Sequence, residues 1–536
     1  MKKPENQLAQ YGRLSAALIL LSVSVTRADE TTCTTLLSMS DLQFSILTSE
    51  FIDSTDTIPQ HCRVHGHILP EVNFEVRLPE AWNGKFYMVG NGGYLGEFFD
   101  QSYGLARGYA TASTDTGHQG PSPTFALNNR AAEIDFGFRA VHITSQSAKK
   151  IIERYYGRGP ELSYFRGCST GGRQGLMEAQ RFPDDFDGWS IGAPVYDYTY
   201  KQTYNASWVA KTLFGNDQEG YVPREKLRVL GEAVYARCDN IDGLQDGLID
   251  DPRKCDFEPR RDLQLCTSGR GDECFTAAQI EAIVKIYDGP GNDLYPGAVK
   301  GAEWMEGSPD RFSGGWDLYF TGVVPTPDQP LGETNSYGGD PFEPVQLRNG
   351  SSFFKYLALE QDQPNFDILT DLDFEHVPDT SFMAGIINAT DTDLSRVHAG
   401  GKKILMWHGW ADVGLNPLRT IQYYEDVRDT MGADRVDEFL RLFLIPGMYH
   451  CDGGPGPDVF DDLTALESWV ERGLPPERMV AYKTDLPGGF GAVYGNVLPA
   501  DASVERSRPL CVYPNVARYG GRGSIDDAEN FECVAP

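Results

Sequence analysis

The chain has 536 residues, 40% of them hydrophobic and 23% charged, with 47 basic and 77 acidic side chains and a formal net charge of −30. This is an ordinary globular composition, long enough for one large domain with an insertion or for two to three domains. The acidic balance argues against nucleic acid and anionic membrane surfaces as partners and favours neutral, cationic or small ones.

At the N-terminus, Lys2, Lys3 and Arg13 precede an apolar stretch over residues 14–25, and Thr26-Arg27-Ala28 offers small residues to a signal peptidase. A charged start, a short apolar run and a small-residue exit describe a secretory signal over residues 1–28. Its apolar part is too short to span a bilayer, which takes about 20 residues. The expectation is a soluble exported protein, secreted or periplasmic. Ten cysteines, an even number, argue for disulfides in such a chain. Sequence alone does not fix their connectivity. Neighbourhood suggests Cys33 with Cys62, Cys238 with Cys255, Cys266 with Cys274 and Cys511 with Cys533, which leaves Cys168 and Cys451 for each other.

Three zones follow. Over residues 68–200 apolar strand-like runs (FYMVG at 86–90, LSYF at 162–165) alternate with a helical stretch at 135–156, the rhythm of βαβ units and a parallel sheet. His65 and His67 alternate in a strand ahead of this zone and read as a half-exposed strand face. Residues 201–395 lose the rhythm and are rich in Gly, Pro and Asp. Alternation returns with KILMWHG (403–409), a helix at 418–432, RLFLIPG (441–447) and a helix at 462–473. The expected organisation is one α/β catalytic domain, residues 29–200 and 396–536, interrupted by an inserted domain over 201–395.

Gly167-Cys168-Ser169-Thr170-Gly171 matches G-x-S-x-G between a strand and a helix. In that motif the serine sits on a strained turn that exposes its hydroxyl, and the following helix aims amide N–H groups at the reacting centre. Asp412, past the strand at 403–409, and His450, past the next strand, complete the chain order Ser, Asp, His of hydrolases with this elbow. His408, ahead of the acid, competes for the base and reads better as a satisfied structural histidine. Cys168 precedes the serine and Cys451 follows the histidine; if Ser169 and His450 meet, the two sulfurs come within reach of a disulfide.

Gly-Cys-Ser-Thr-Gly-Gly-Arg (167–173), His-Gly-Trp-Ala-Asp (408–412) and His-Cys (450–451) resemble the tannase and feruloyl esterase family, which also includes a terephthalate half-ester hydrolase. Gly90-Asn91-Gly92-Gly93, the stretch at 113–118 and Ser524-Ile525-Asp526-Asp527 support the resemblance over nearly the whole mature chain. It implies an α/β-hydrolase core with a large lid, a disulfide between Cys168 and Cys451, and hydrolysis of esters of hydroxylated aromatic acids. An oxyanion hole from the N–H of Thr170 and that of Gly92 or Gly93 fits the glycine-rich loop. The acidic loop from Asp239 to Asp250 resembles the family's calcium loop, with side chains of Asp239, Asp242 and Asp246 and carbonyls of Leu244 and Leu248 as ligands of a structural Ca²⁺. The resemblance implies no organic cofactor. The insertion's aromatics, among them Trp304, Trp316, Tyr319, Phe320, Phe353 and Phe354, and an arginine such as Arg348 are of the kinds that hold a ring and a carboxylate, and none is assigned to binding. Galloyl esters and terephthalate half-esters are the alternative substrates, and a catalytically silent binding protein on the same fold is the alternative class.

Overall fold

The computed structural model describes residues 1, 30–267, 271–291, 294–304, 314–322, 343–484 and 502–536. Apart from Met1, the expected signal segment lies outside them. Nine strands build one mixed sheet: β1 (Phe44–Ile52), β2 (His61–Ile68), β3 (Val72–Pro79), β4 (Lys85–Val89), β5 (Ala110–Thr114), β6 (Leu162–Cys168), β7 (Gly188–Gly192), β8 (Lys403–Gly409) and β9 (Leu440–Ile445). Their spatial order is β1-β2-β3-β5-β4-β6-β7-β8-β9. The first three form an antiparallel ribbon that joins β5, and from β5 through β9 every pairing is parallel.

Burial explains the difference in pattern. β5, β7 and β9 are buried at every residue, the continuous run expected of parallel strands covered on both faces. β2 instead alternates buried and half-buried positions. His65 and His67 lie on its half-buried face and bond across the ribbon, His65 Nε2 to Glu75 at 2.6 Å and His67 Nδ1 to Asn73 at 3.0 Å.

Helices α1 (Ala140–Tyr156) and α2 (Thr170–Arg181) pack Ile151, Ile152, Leu176 and Met177 into the core on one side of the sheet. Residues 193–402 separate β7 from β8 and contribute α3 (Arg224–Cys238), α4 (Ala277–Asp288) and α5 (Val345–Tyr356). Then α6 (Pro417–Met431) joins the α1 and α2 side through Ile421 and Val427. On the opposite face α7 (Asp462–Arg472) buries Leu463 and Leu466. Helices thus cover both faces of the sheet, as the sequence alternation predicts.

The insertion has apolar packing of its own, including Val209, Leu230, Val234 and Ile283, and this cluster takes in Ala411, Val413 and Tyr449 from the loops after β8 and β9. The insertion therefore sits on the carboxyl ends of the parallel strands. All ten cysteines are paired, four pairs as neighbourhood suggests and Cys168 with Cys451 as the pair that remains.

Candidate active site

Ser169 stands between β6 and α2 at φ 63°, ψ −122°, a conformation that non-glycine residues rarely adopt and that costs on the order of 1–3 kcal/mol. The turn is so tight that a Cβ on Gly167 would lie 2.6 Å from the backbone of Gly171. This is the physical reason for a glycine two residues before the serine. The turn is held by the Ser169 N–H on the Gly192 carbonyl at 3.1 Å and by the Arg173 N–H on the Ser169 carbonyl at 3.0 Å.

Asp412 lies just past β8, fully buried. Its Oδ1 accepts the Leu415 N–H at 2.8 Å, and its Oδ2 receives His450 Nδ1 at 2.7 Å and His408 Nε2 at 3.0 Å. Burial alone would raise this carboxyl. The charge of His450 and the hydrogen bonds from His408 and His450 outweigh it and hold the group well below the ordinary carboxylate range. An ionised Asp412 accepts only, so His450 carries its proton on Nδ1 and presents Nε2 as a base. The loops bearing the acid and the histidine touch directly: a Cβ on Gly409 would lie 2.3 Å from the Met448 carbonyl.

Cys168 and Cys451 are joined by a disulfide with Cα atoms 6.0 Å apart. Cys451 has φ 69°, so each loop carries a non-glycine residue in the left-handed region at the staple or next to it. Ser169, Thr170, Gly93 and His450 line one cavity. Thr170 opens α2, and its hydroxyl donates to the Gly93 carbonyl at 3.0 Å. The glycine loop is fixed by the Asn91 N–H on Gln174 and by the Asn91 amide on the Thr114 carbonyl. Gly92 sits behind it and gives its carbonyl to the Leu95 N–H. Of the two glycines, Gly93 is the one at the cavity.

Tyr198, Lys201, Tyr319 and Arg348, from the segment between β7 and β8, also line this cavity. Tyr319 sets its ring edge-on to His450, with centroids 5.9 Å apart. Of the other insertion aromatics, Trp316, Phe320, Phe353 and Phe354 are buried in core clusters and Trp304 packs at the edge of one. The structure bears out the reading of His408 as a satisfied structural histidine, whereas sequence reasoning passes over Lys201. His408 is wholly buried and reaches Asp412 rather than the cavity, and its four-residue spacing from the acid is the only local signal. Lys201 has no local signal at all.

In the acidic loop, Asp239 Oδ1 accepts the N–H groups of Asp246 and Gly247 at 3.2 and 2.9 Å, Asp242 Oδ1 that of Leu244 at 2.9 Å, and Asp246 Oδ1 that of Leu248 at 3.2 Å. The other oxygen of Asp246 pairs with Arg508. Burial first, and then the charge of Asp246, raise the carboxyls of Asp239 and Asp242. Asp250 is pushed up to about 7 by burial and by Asp242, Asp251 and Asp246. An all-oxygen donor set whose carboxylates repel one another fits a hard divalent cation.

Residues 57–534 match the family model described as tannase and feruloyl esterase. An uncharacterised esterase of Xanthomonas campestris pv. campestris is 34% identical, the match covering 98% of this chain and 94% of that one. The mono(2-hydroxyethyl) terephthalate hydrolase of Piscinibacter sakaiensis is 31% identical over 90% of this chain and 86% of that one. The crystal structure of feruloyl esterase B from Aspergillus oryzae superposes with a TM-score of 0.78 at 25% identity, covering 94% of this chain and all of that one. The mixed sheet with helices on both faces is accordingly of the α/β-hydrolase type, and the chain belongs to the tannase and feruloyl esterase family and is a carboxylic ester hydrolase.

Proposed function

We propose that the protein hydrolyses esters of hydroxylated aromatic acids, in the manner of a feruloyl esterase, through Ser169, His450 and Asp412. The observation that carries this reading is the 2.7 Å bond from His450 Nδ1 to a buried, ionised Asp412, with His450 and Ser169 lining one cavity. His450 Nε2 takes the proton of the Ser169 hydroxyl as its oxygen attacks the ester carbonyl. Asp412 holds the imidazole in the required tautomer and stabilises the imidazolium. The N–H groups of Thr170 and Gly93 receive the oxyanion, helped by the positive end of α2. His450 returns the proton to the departing alcohol. Water, deprotonated by the same histidine, then releases the aromatic acid from Ser169.

The insertion acts as the lid over this chemistry and selects the acyl group. A calcium ion held by Asp239, Asp242 and Asp246 with the carbonyls of Leu244 and Leu248 stabilises the root of that insertion and takes no part in the reaction. Five disulfides suit export to an oxidising compartment.

A substrate panel of methyl ferulate, methyl gallate, chlorogenate and a terephthalate half-ester tests the reading. We expect turnover of hydroxycinnamoyl esters and stoichiometric labelling of Ser169 by an organophosphate. Ser169→Ala should lower kcat by roughly 10⁴-fold or more. Retention of most activity in that variant would exclude Ser169 as nucleophile, and failure to label would favour a silent binding protein.

A further inference from the structure

The cavity lining includes a lysine that the ester chemistry does not use. Lys201 lies in the insertion's first helical segment and is 2% exposed, yet it lines the same cavity as Ser169 and His450. Its ammonium donates to Gln346 Oε1 at 2.7 Å and more distantly to Gln202 Oε1 at 3.4 Å. Gln346 is itself fixed, its amide donating to Asn205 Oδ1 at 2.9 Å and to the Gly414 carbonyl at 3.1 Å. An ammonium has three N–H donors, so one is left over after these two bonds. Among the described residues no carboxylate comes within ion-pair distance of Lys201.

A buried cation without a counter-ion is costly unless something supplies one. Burial drives Lys201 down to about 7, against the pull of Asp412 and Asp197. The cavity lining adds a second cation, Arg348, and contains no Asp or Glu. Two amide side chains hold the lysine by their oxygens, so its position is set without neutralising it.

From this geometry we propose that Lys201 is a specificity residue that receives a negatively charged oxygen, a carboxylate or a phenolate, on the acyl ring of the substrate while Ser169 attacks the ester. This rests on the assignment of the cavity to aromatic acyl esters and narrows it to acyl groups that carry a second oxyanion. The ligand completes the ion pair that the protein leaves open. Such a charge-assisted hydrogen bond is short and strong.

The test compares kcat/KM for methyl cinnamate, methyl 4-hydroxycinnamate and monomethyl terephthalate in the wild type, Lys201→Met and Lys201→Gln. We expect each variant to lose about tenfold or more in selectivity for an oxygen-bearing substrate over methyl cinnamate. A loss confined to monomethyl terephthalate identifies a carboxylate as the partner, and one confined to methyl 4-hydroxycinnamate a phenolate. An equal fall on all three esters, or no fall, overturns the proposal. A wild type that hydrolyses none of the three overturns the aromatic-ester reading and this proposal with it. If Lys201→Met does not fold, Lys201→Gln serves. Binding of terephthalate to Ser169→Ala with and without Lys201→Gln, by calorimetry, gives a readout free of catalysis: weaker binding in the double variant supports a carboxylate partner, and equal affinity together with unchanged selectivity for methyl 4-hydroxycinnamate overturns the proposal.

Discussion

His408 and His450 meet on the same oxygen of Asp412, at 3.0 and 2.7 Å. His408 Nε2 also lies 2.9 Å from the Leu415 carbonyl, so two acceptors face one nitrogen and that nitrogen carries the proton. Its Nδ1 is left to accept from the Thr420 hydroxyl at 2.8 Å. His408 is thus a positioning residue for the acid. We expect His408→Ala to lower kcat by about ten- to a hundredfold with KM little changed, the scale of one hydrogen bond to a charged group. A parallel fall in melting temperature with normal kcat would make it merely structural.

The bond between Cys168 and Cys451 closes a loop over a sequence separation of 283 residues. Chain-entropy arguments give about 5 kcal/mol for such a loop. Replacing both cysteines by serine should lower the melting temperature and reduce kcat more than KM, because the base loses its tether to the nucleophile's loop. Unchanged kcat in a destabilised variant would show that the staple serves stability alone.

The acidic loop is tied to the C-terminal part of the chain by the ion pair of Asp246 with Arg508. Removal of calcium by a chelator should lower thermal stability, and added calcium should restore it. Asp242→Asn should blunt that response. Equal melting curves with chelator and with excess calcium would leave the loop an ordinary Asp-Gly turn.

Glu178 on α2 is wholly buried beside Asp185. Burial and the neighbouring Asp185 hold its carboxyl well above the ordinary range. A carboxyl raised on folding lends full relative stability below its unfolded value, near 4.5, and loses it as pH climbs toward the folded value. Glu178→Gln cannot ionise and should therefore gain on the wild type as pH rises from 5 to 9. Melting temperatures measured across that range would show a constant gap if Glu178 were ionised throughout.

The parallel strands were legible because burial on both faces writes them as uninterrupted apolar runs: KILMWHG is β8 residue for residue. β1 was not, since its register slips between Ile46 and Thr48 and its burial follows no clean alternation. The serine, acid and histidine announce themselves by strand-end position and by flanking glycines whose Cβ atoms would collide with backbone. Lys201 does not, because its setting depends on Gln346, 145 residues away. A side chain whose role comes from such a distant partner has no nearby pattern to betray it. His408 stands between these cases: its place at a strand end is readable, and its bond to Asp412 emerges only when the loop after β8 turns back to bring Leu415 onto the same carboxylate.

The sulfur bridge also orders events during synthesis. The nucleophile's segment leaves the ribosome long before residue 451 exists, so a nascent chain carries a serine elbow with no base to activate it. Only when the C-terminal portion has emerged and two thiols have surrendered their electrons to an oxidant does the pairing of 168 with 451 lock the two halves together.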